Sequence, residues 1–325
     1  MTNRIDKMDD NNGIKFDEAI GLVRKEMDQT LSRSPIIIRE YTKHLLASQG
    51  KFIRAYSVIS AAEDKQGLIS TNAIKLAAAI ETMHLASLVH DDIIDDADLR
   101  RGNITLQKKY GRRTAVICGD YLLSIALSMA ASCENKKDYL ELSLHDYVGR
   151  VCLGELNQHI NNGNLNLSIY QYFKIISGKT AALFEASFLA GAIFSGASKA
   201  EINRYRQLGF EIGMIFQLTD DCMDFEITRE LAEKPVQSDY EQGVITLPLI
   251  HAFQQLGDFK TKAEKNVVTR KEINEAVAKT GGLTFTKLVV NRYYIKAMKL
   301  INELDASASK KDRLTEILKK ATRIA

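Results

Sequence analysis

Glu81-Thr-Met-His-Leu-Ala-Ser-Leu-Val-His-Asp-Asp-Ile-Ile-Asp-Asp-Ala-Asp-Leu-Arg-Arg-Gly102 decides how this chain is read. It closes a run, near 72–96, whose apolar residues recur at helical spacing, with Thr71 or Asn72 as the expected N-cap. On a helix, residues i and i+4 share a face, so Asp91 and Asp95 stand one above the other with Asp92 beside them. Five aspartates fall in the eight residues from Asp91 to Asp98. Negative charge at a helix C-terminus opposes the macrodipole, and carboxylates this dense repel one another, so the cluster asks for a cation. A second run, near 199–226, ends the same way. Phe216-Gln-Leu-Thr-Asp-Asp-Cys-Met-Asp-Phe225 puts Asp220 and Asp224 on one face, with Asp221 beside them. Mg²⁺ takes one or two carboxylates and fills its other positions with phosphate oxygens and water. Two Asp-Asp-x-x-Asp sets therefore predict a diphosphate held between two acidic walls through Mg²⁺.

The rest of the chain reads as helical. Its 325 residues contain only three prolines, Pro35, Pro235 and Pro248, and long stretches lack helix breakers. The periodicity predicts helices near 15–32, 36–48, 54–66, 72–96, 112–133 and 137–161. Further helices are predicted near 168–194, with a break at Gly178, and near 199–226, 244–256, 271–279, 282–303 and 310–323. Thr228 to Gln242 is polar, contains Pro235 and reads as a loop, and Arg100 to Asn103 is a shorter polar break. No Pro/Gly/Ser linker divides the chain, so residues 1–14 read as a mobile tail and 15–325 as one helical domain. A net charge of +3 argues against a nucleic-acid partner. Cys118, Cys133, Cys152 and Cys222 lack metal-site spacing and read as reduced, buried thiols of a cytoplasmic protein. No run of about 18 uncharged apolar residues occurs, so no membrane span is expected, and contact with a membrane is at most peripheral.

Basic residues accompany the acidic ones. Arg100 and Arg101 follow the first cluster directly. They either neutralise it or bind diphosphate oxygens through paired guanidiniums. Lys51 and Arg54, three apart at a loop-to-helix junction, look like ordinary surface charges when taken alone. His84 lies seven residues before Asp91 on the same helix face, which adds weight to the basic reading. Gly178-Lys-Thr180 opens another apolar stretch. It lacks the upstream glycine and strand of a P-loop, but a Lys and Thr there still suit an anion.

With these residues in view, the chain resembles the trans-isoprenyl diphosphate synthases, or polyprenyl synthetase family. It is most similar to the medium- and long-chain type, such as the catalytic subunit of hexa- or heptaprenyl diphosphate synthase. The resemblance is carried by Glu81 to Gly102, Gly119-Asp-Tyr-Leu-Leu123, Gly154-Glu155 with Gln158, and Lys179-Thr180. Phe216-Gln217 with Asp220, Asp221 and Asp224, and Gly243-Val-Ile-Thr-Leu-Pro248, carry it further. It implies an all-α isoprenoid-synthase bundle around a central cavity. It also implies three Mg²⁺ per active site, two on Asp91, Asp92 and Asp95 and one on Asp220 with Asp221 and Asp224 nearby. Arg100, Lys179, Gln217 and Lys234 would contact the allylic diphosphate. Lys51, Arg54, His84 and Arg101 would hold the diphosphate of isopentenyl diphosphate without metal. Lys179 and Thr180 would also steady the allylic cation.

The implied reaction is head-to-tail (1′-4) condensation of isopentenyl diphosphate onto an allylic diphosphate, farnesyl or geranylgeranyl, to an all-trans hexa- to octaprenyl diphosphate. Metal ions neutralise the leaving diphosphate, the double bond attacks the aligned allylic cation, and an apolar cavity keeps water away. Product length is read from Ser87 and Ala86, four and five residues before Asp91. Short-chain relatives place aromatic rings there; small residues leave a tunnel open as far as Met83. The sequence departs from the family at Gln49 and Ala55, around an otherwise matching Gly50-Lys51…Arg54. Phe225 to Thr228 lack the usual glycine, Val244 stands where short-chain members carry a lysine, and Ile125 replaces a commonly basic residue. A homodimer is expected, or a heterodimer with a small regulatory subunit without which the chain is inactive. The competing reading is a class I terpene cyclase. Lys51, Arg54, Arg101 and the second aspartate set argue against it.

Overall fold

The computed structural model describes residues 13–46, 50–133, 142–226, 240, 242–265 and 268–323. They are almost entirely helical, as the periodicity predicts. Two compact units emerge. The first takes the chain up to Leu144 with Ala186–Arg206 and Leu304–Ile317; the second takes His145–Glu185, Gln207–Glu303 and the residues from Leu318.

In the first unit α1 (Phe16–Ser32), α2 (Ile36–Leu46) and α3 (Ile53–Ala62) precede α4 (Thr71–Ile94). A two-stranded hairpin, β1 (Leu99–Arg100) with β2 (Asn103–Ile104), leads to α5 (Leu106–Tyr110) and α6 (Arg112–Ala131). Every residue of α4 from Leu76 to Met83 is buried, apolar or not, which marks it as a central helix. It packs against α6, α3 and α1. Its cap is Ser70, in place of Thr71 or Asn72: extended backbone at φ −77° lets the Ser70 hydroxyl accept from Ala73 N at 3.3 Å. The predicted 54–66 helix stops at Ala62. There Asp64 Oδ1 accepts from Gln66 N and Leu68 N, at 2.8 and 2.9 Å, and bends the chain into a turn at Gly67. Helix α5, only five residues long, has too few positions to show periodicity and was missed.

One described helix, α6, is long and apolar enough to cross a membrane by length and composition, with mean hydropathy 1.6. The sequence reading expects no span, because no run of about 18 uncharged apolar residues occurs, and α6 carries Arg112, Arg113 and Asp120. Here α6 buries Ala115, Cys118, Gly119, Leu122, Ala126, Met129 and Ala130 in the first unit. Leu122 and Cys118 share one apolar cluster with Leu31, Ile38, Leu45, Ala86 and Val89.

The second unit contains α7 (Leu144–Ile160), apart from its first residue, and α8 (Ile169–Ile176). Next comes a π-helical turn, Ser177–Ala181, leading into α9 (Ala182–Phe194), which belongs to the first unit from Ala186, and then α10 (Lys199–Glu226), which belongs to the second from Gln207. The expected break at Gly178 is this π turn, in which the chain stays helical. Beyond it lie α11 (Leu247–Gln255), α12 (Gly257–Glu264), α13 (Arg270–Thr280) and α14 (Gly282–Glu303), and α15 (Ala308–Thr322) belongs to the first unit as far as Ile317. The short α12 was also missed. An apolar core formed by Ile175, Ile176, Ala181, Met214, Leu218, Leu247, Ile250 and Val277 holds α8, α10, α11 and α13 together. Cys118, Cys133 and Cys222 are buried as expected, whereas Cys152 is exposed on α7.

Candidate active site

The first acidic set ends α4. Asp95 N donates to the Asp91 carbonyl at 2.8 Å, the i to i+4 link that puts both side chains on one half-buried stripe. His84 and Ser87 continue this stripe toward the helix start, and Ser87 Oγ donates to the His84 carbonyl at 2.8 Å. Asp92 differs. It is 6% exposed and receives Arg100 Nε at 2.5 Å, while burial pushes its carboxyl up and Arg100 pulls it back down. Asp96 pairs with Arg112 at 2.5 Å and Asp98 with Lys108 at 2.9 Å. Ala86 and Met83 are buried, Ala86 in the cluster with Leu122, so of the three length-reading positions only Ser87 lies on the stripe with Asp91.

The basic residues of this unit converge on the same stripe. The hairpin after α4 turns through Arg101 at φ 51° and Gly102 at φ 79°, the positive-φ pair that a two-residue turn demands. Arginine rarely adopts that backbone, and here it aims the guanidinium at Gly50, where an added Cβ would lie 2.3 Å from Nη1. Arg54, in the first turn of α3, is buried; burial lowers its pKa to about 10, and Arg101 adds repulsion while Glu81 and Asp91 oppose it. His84 is held well below its ordinary value, first by burial and then by Arg54, Arg101 and Arg100, so it stands neutral. Lys51 is exposed beside Gly50. Sequence reasoning missed Glu81. Its buried carboxylate, on α4, accepts from Ala55 N at 2.9 Å and caps the start of α3, where Phe52 offers no side-chain cap. Burial raises Glu81, and bonds from the Ala55 and Arg54 backbone counter it. An acidic residue inside an apolar helix, one turn before His84, was its only signal.

In the second unit the π turn presents Lys179 and Thr180. Such turns arise where one extra residue is accommodated in a helix, often at functional positions. Gly154 makes room for it: a Cβ there would sit 2.1 Å from Lys179 N. Lys179 Nζ pairs with Glu155 at 3.0 Å. Thr180 Oγ1 donates to Gln217 Oε1 at 2.6 Å, Gln217 Nε2 donates to Asp221 Oδ1 at 2.7 Å, and Tyr172 OH donates to Asp221 Oδ2. Asp221 is 3% exposed, and its carboxyl is raised, first by burial, against the pull of those two donors. Asp220 is exposed and meets Arg323, whose guanidinium also stands 5.5 Å from the centroid of Phe216. Arg323 and Tyr172 had no signal in the sequence, being about 100 and 50 residues from the motif they touch. Asp224 is half-buried, and its carbonyl lies 3.5 Å from Arg270 Nη2. Lys234 lies outside the described residues.

No three His, Cys, Asp or Glu side chains converge on a single metal position among the described residues. The acidic end of α4 suits Mg²⁺, which needs one or two carboxylates when phosphates supply the rest, and Asp91 with Asp95 on one turn offers that pair.

A polyprenyl synthetase family model matches residues 35–281. The chain is 34% identical over 293 residues to heptaprenyl diphosphate synthase component 2 of Geobacillus stearothermophilus, covering 88% of this chain and 89% of that protein. Its structure superposes on the heptaprenyl diphosphate synthase of Staphylococcus aureus with a TM-score of 0.86 at 32% identity, over 97% and 100% of the two chains. A polyprenyl synthase of Caulobacter crescentus, determined with calcium and isoprenyl diphosphate, gives 0.84 at 29% identity over 95% and 96%. These relatives lend the terpene cyclase reading no support. The chain belongs to the polyprenyl synthetase family, whose members are metal-dependent trans-prenyltransferases acting on isoprenyl diphosphates.

Proposed function

We propose that the chain condenses isopentenyl diphosphate head-to-tail onto farnesyl or geranylgeranyl diphosphate, extending it to an all-trans hexa- to octaprenyl diphosphate. One observation carries the reading: Arg54, His84 and Arg101 gather on the α4 stripe that also bears Asp91 and Asp95. A carboxylate pair fit for Mg²⁺ thus adjoins a basic pocket that needs no metal, and the reaction requires two diphosphates handled differently. Mg²⁺, three per site, would supply Lewis-acid neutralisation of the leaving diphosphate. Asp91, Asp95 and Asp220 would hold it. Arg54 and Arg101, forced close despite their repulsion, bind the isopentenyl diphosphate, and neutral His84 donates a hydrogen bond without adding a third charge. Lys51, exposed beside Gly50, serves the same diphosphate. Lys179, Gln217, Arg100 and Lys234 serve the allylic diphosphate, and Ser87 leaves room for the growing chain.

Component 2 in the names of the Geobacillus and Bacillus subtilis relatives supports a second arrangement, in which turnover requires a small partner subunit. The exposed Val116 and Ile117 of α6 favour a subunit contact, a homodimer or such a pair. The test is a product assay with the full chain, Mg²⁺, farnesyl diphosphate and labelled isopentenyl diphosphate, alone and with a candidate small subunit. Prenols of 30 to about 40 carbons are expected. A cyclic hydrocarbon, or no isopentenyl incorporation under either condition, would overturn the reading.

A further inference from the structure

Tyr172, Asp221, Gln217 and Thr180 form one hydrogen-bonded line within the second unit, and no part of the proposed chemistry yet uses its inner half. Tyr172 and Asp221 are each 3% exposed, and Thr180 is 8% exposed. Both Asp221 oxygens are taken, Oδ1 by Gln217 Nε2 at 2.7 Å and Oδ2 by the Tyr172 hydroxyl. The Tyr172 and Gln217 donors favour the ionised form of Asp221 against its burial, and in that form it only accepts, so Gln217 turns its NH₂ toward it. That leaves Gln217 Oε1 facing Thr180, which gives it the single hydroxyl proton at 2.6 Å. Thr180 can then meet any further group only through its oxygen lone pairs.

We propose that Tyr172 and Asp221 are positioning residues that set the direction of this line, so that Thr180 presents an electron-rich oxygen to the reacting allylic group. The inference rests on the reading that Lys179 and Thr180 border the allylic site. Asp221 in this role is a second carboxylate of the Asp-Asp-x-x-Asp set turned away from metal duty. Its neighbour Asp220 faces outward, and Asp221 holds the amide that orients Thr180. The line starts on α8, just before the π turn, and crosses to α10. The π turn and the tyrosine are thereby tied to the same carboxylate, and the hydroxyl direction is set by groups buried from solvent. An inverted line, with Gln217 NH₂ toward Thr180, would point the Thr180 proton at the developing cation and oppose it.

Asp221→Asn offers an amide that can reverse the line, and Tyr172→Phe removes one donor without changing shape. Either should lower kcat about 10-fold or more, with KM for isopentenyl diphosphate unchanged. Mn²⁺ binding in the presence of inorganic pyrophosphate, read by electron paramagnetic resonance, should match wild type in Asp221→Asn and weaken in Asp220→Asn. In a Thr180→Val background, Tyr172→Phe should cost no further kcat, because the line no longer ends on a hydroxyl. Loss of Mn²⁺ sites in Asp221→Asn to the same degree as in Asp220→Asn would overturn the proposal, as would a full additive penalty in the double variant. If Asp221→Asn fails to fold, the Tyr172 and Thr180 cycle still decides. A wild-type chain that incorporates no isopentenyl diphosphate sinks the functional reading itself, whereas additive effects in an active enzyme sink only this one.

Discussion

Asp92 turns inward to Arg100, whereas Asp91 stays on the half-buried stripe with His84 and Asp95. The two are adjacent, and the 100° step between helix neighbours sends one into the protein and the other to the substrate side. Asp91→Ala should therefore remove metal-assisted departure of diphosphate and lower kcat by about 10³-fold or more, with the melting temperature nearly unchanged. Steady-state assays beside thermal denaturation check this, and wild-type turnover would remove Asp91 from the mechanism. Arg323 places a guanidinium on Asp220, which the functional reading gives to Mg²⁺. The two cations compete for one carboxylate, so Arg323→Gln should tighten Mn²⁺ binding about two- to ten-fold in the absence of diphosphate. Calorimetric titration at low salt reads the change, and an identical affinity would show that no competition exists.

At the level of elements, the long helices were legible because each runs many turns without a proline, and most carry periodic apolar residues whereas α4 is buried all round. The short α5 and α12 were not, and neither were the local devices that end or distort helices. The π turn at Ser177–Ala181 depends on close approach to Gly154 of α7, a contact that no local pattern encodes. Gly154→Ala should push α7 off the turn, destabilise the protein by about 1–3 kcal/mol, and raise KM for the allylic substrate by moving Lys179. Urea denaturation paired with kinetics tests both. On α4, a ring at Ser87 would intrude on the stripe one turn, about 5.4 Å, below Asp91. Ser87→Phe should shorten the prenols, and an unchanged chain-length distribution would show that this turn does not bound the product. The equivalent change at Ala86 should mainly destabilise, because Ala86 packs in the apolar cluster with Leu122.

On the scale of the whole chain, ends far apart in sequence meet. Lys310 of α15, 5% exposed, donates to the carbonyls of Ala61 and Glu63 at 2.9 and 2.6 Å, finishing α3 from the far end of the chain. Burial lowers its pKa from 10.5 to about 8, against the pull of Asp64 and Glu201. Between about pH 8 and 10.5 the unfolded chain keeps this proton and the folded chain has lost it, so stability rises with pH across that window, by about 3 kcal/mol in all. Lys310→Met should remove the rise, and chemical denaturation at pH 7.5, 9 and 10 would show it; a persistent slope would place its origin elsewhere. By itself the sequence determined the all-helical class and the two acidic helix ends, and it singled out Arg54, His84, Arg100 and Arg101 near the first of them. Those properties depend on spacing along one helix, which 3.6 residues per turn translates directly into a face. Only the tertiary structure decided which aspartate of each pair turns inward, that Glu81 caps α3, and that Tyr172 and Arg323 join the second motif. A residue's orientation within a cluster, and its partner from another helix, are set by packing between segments 26 to 103 positions apart, and no local pattern records that distance.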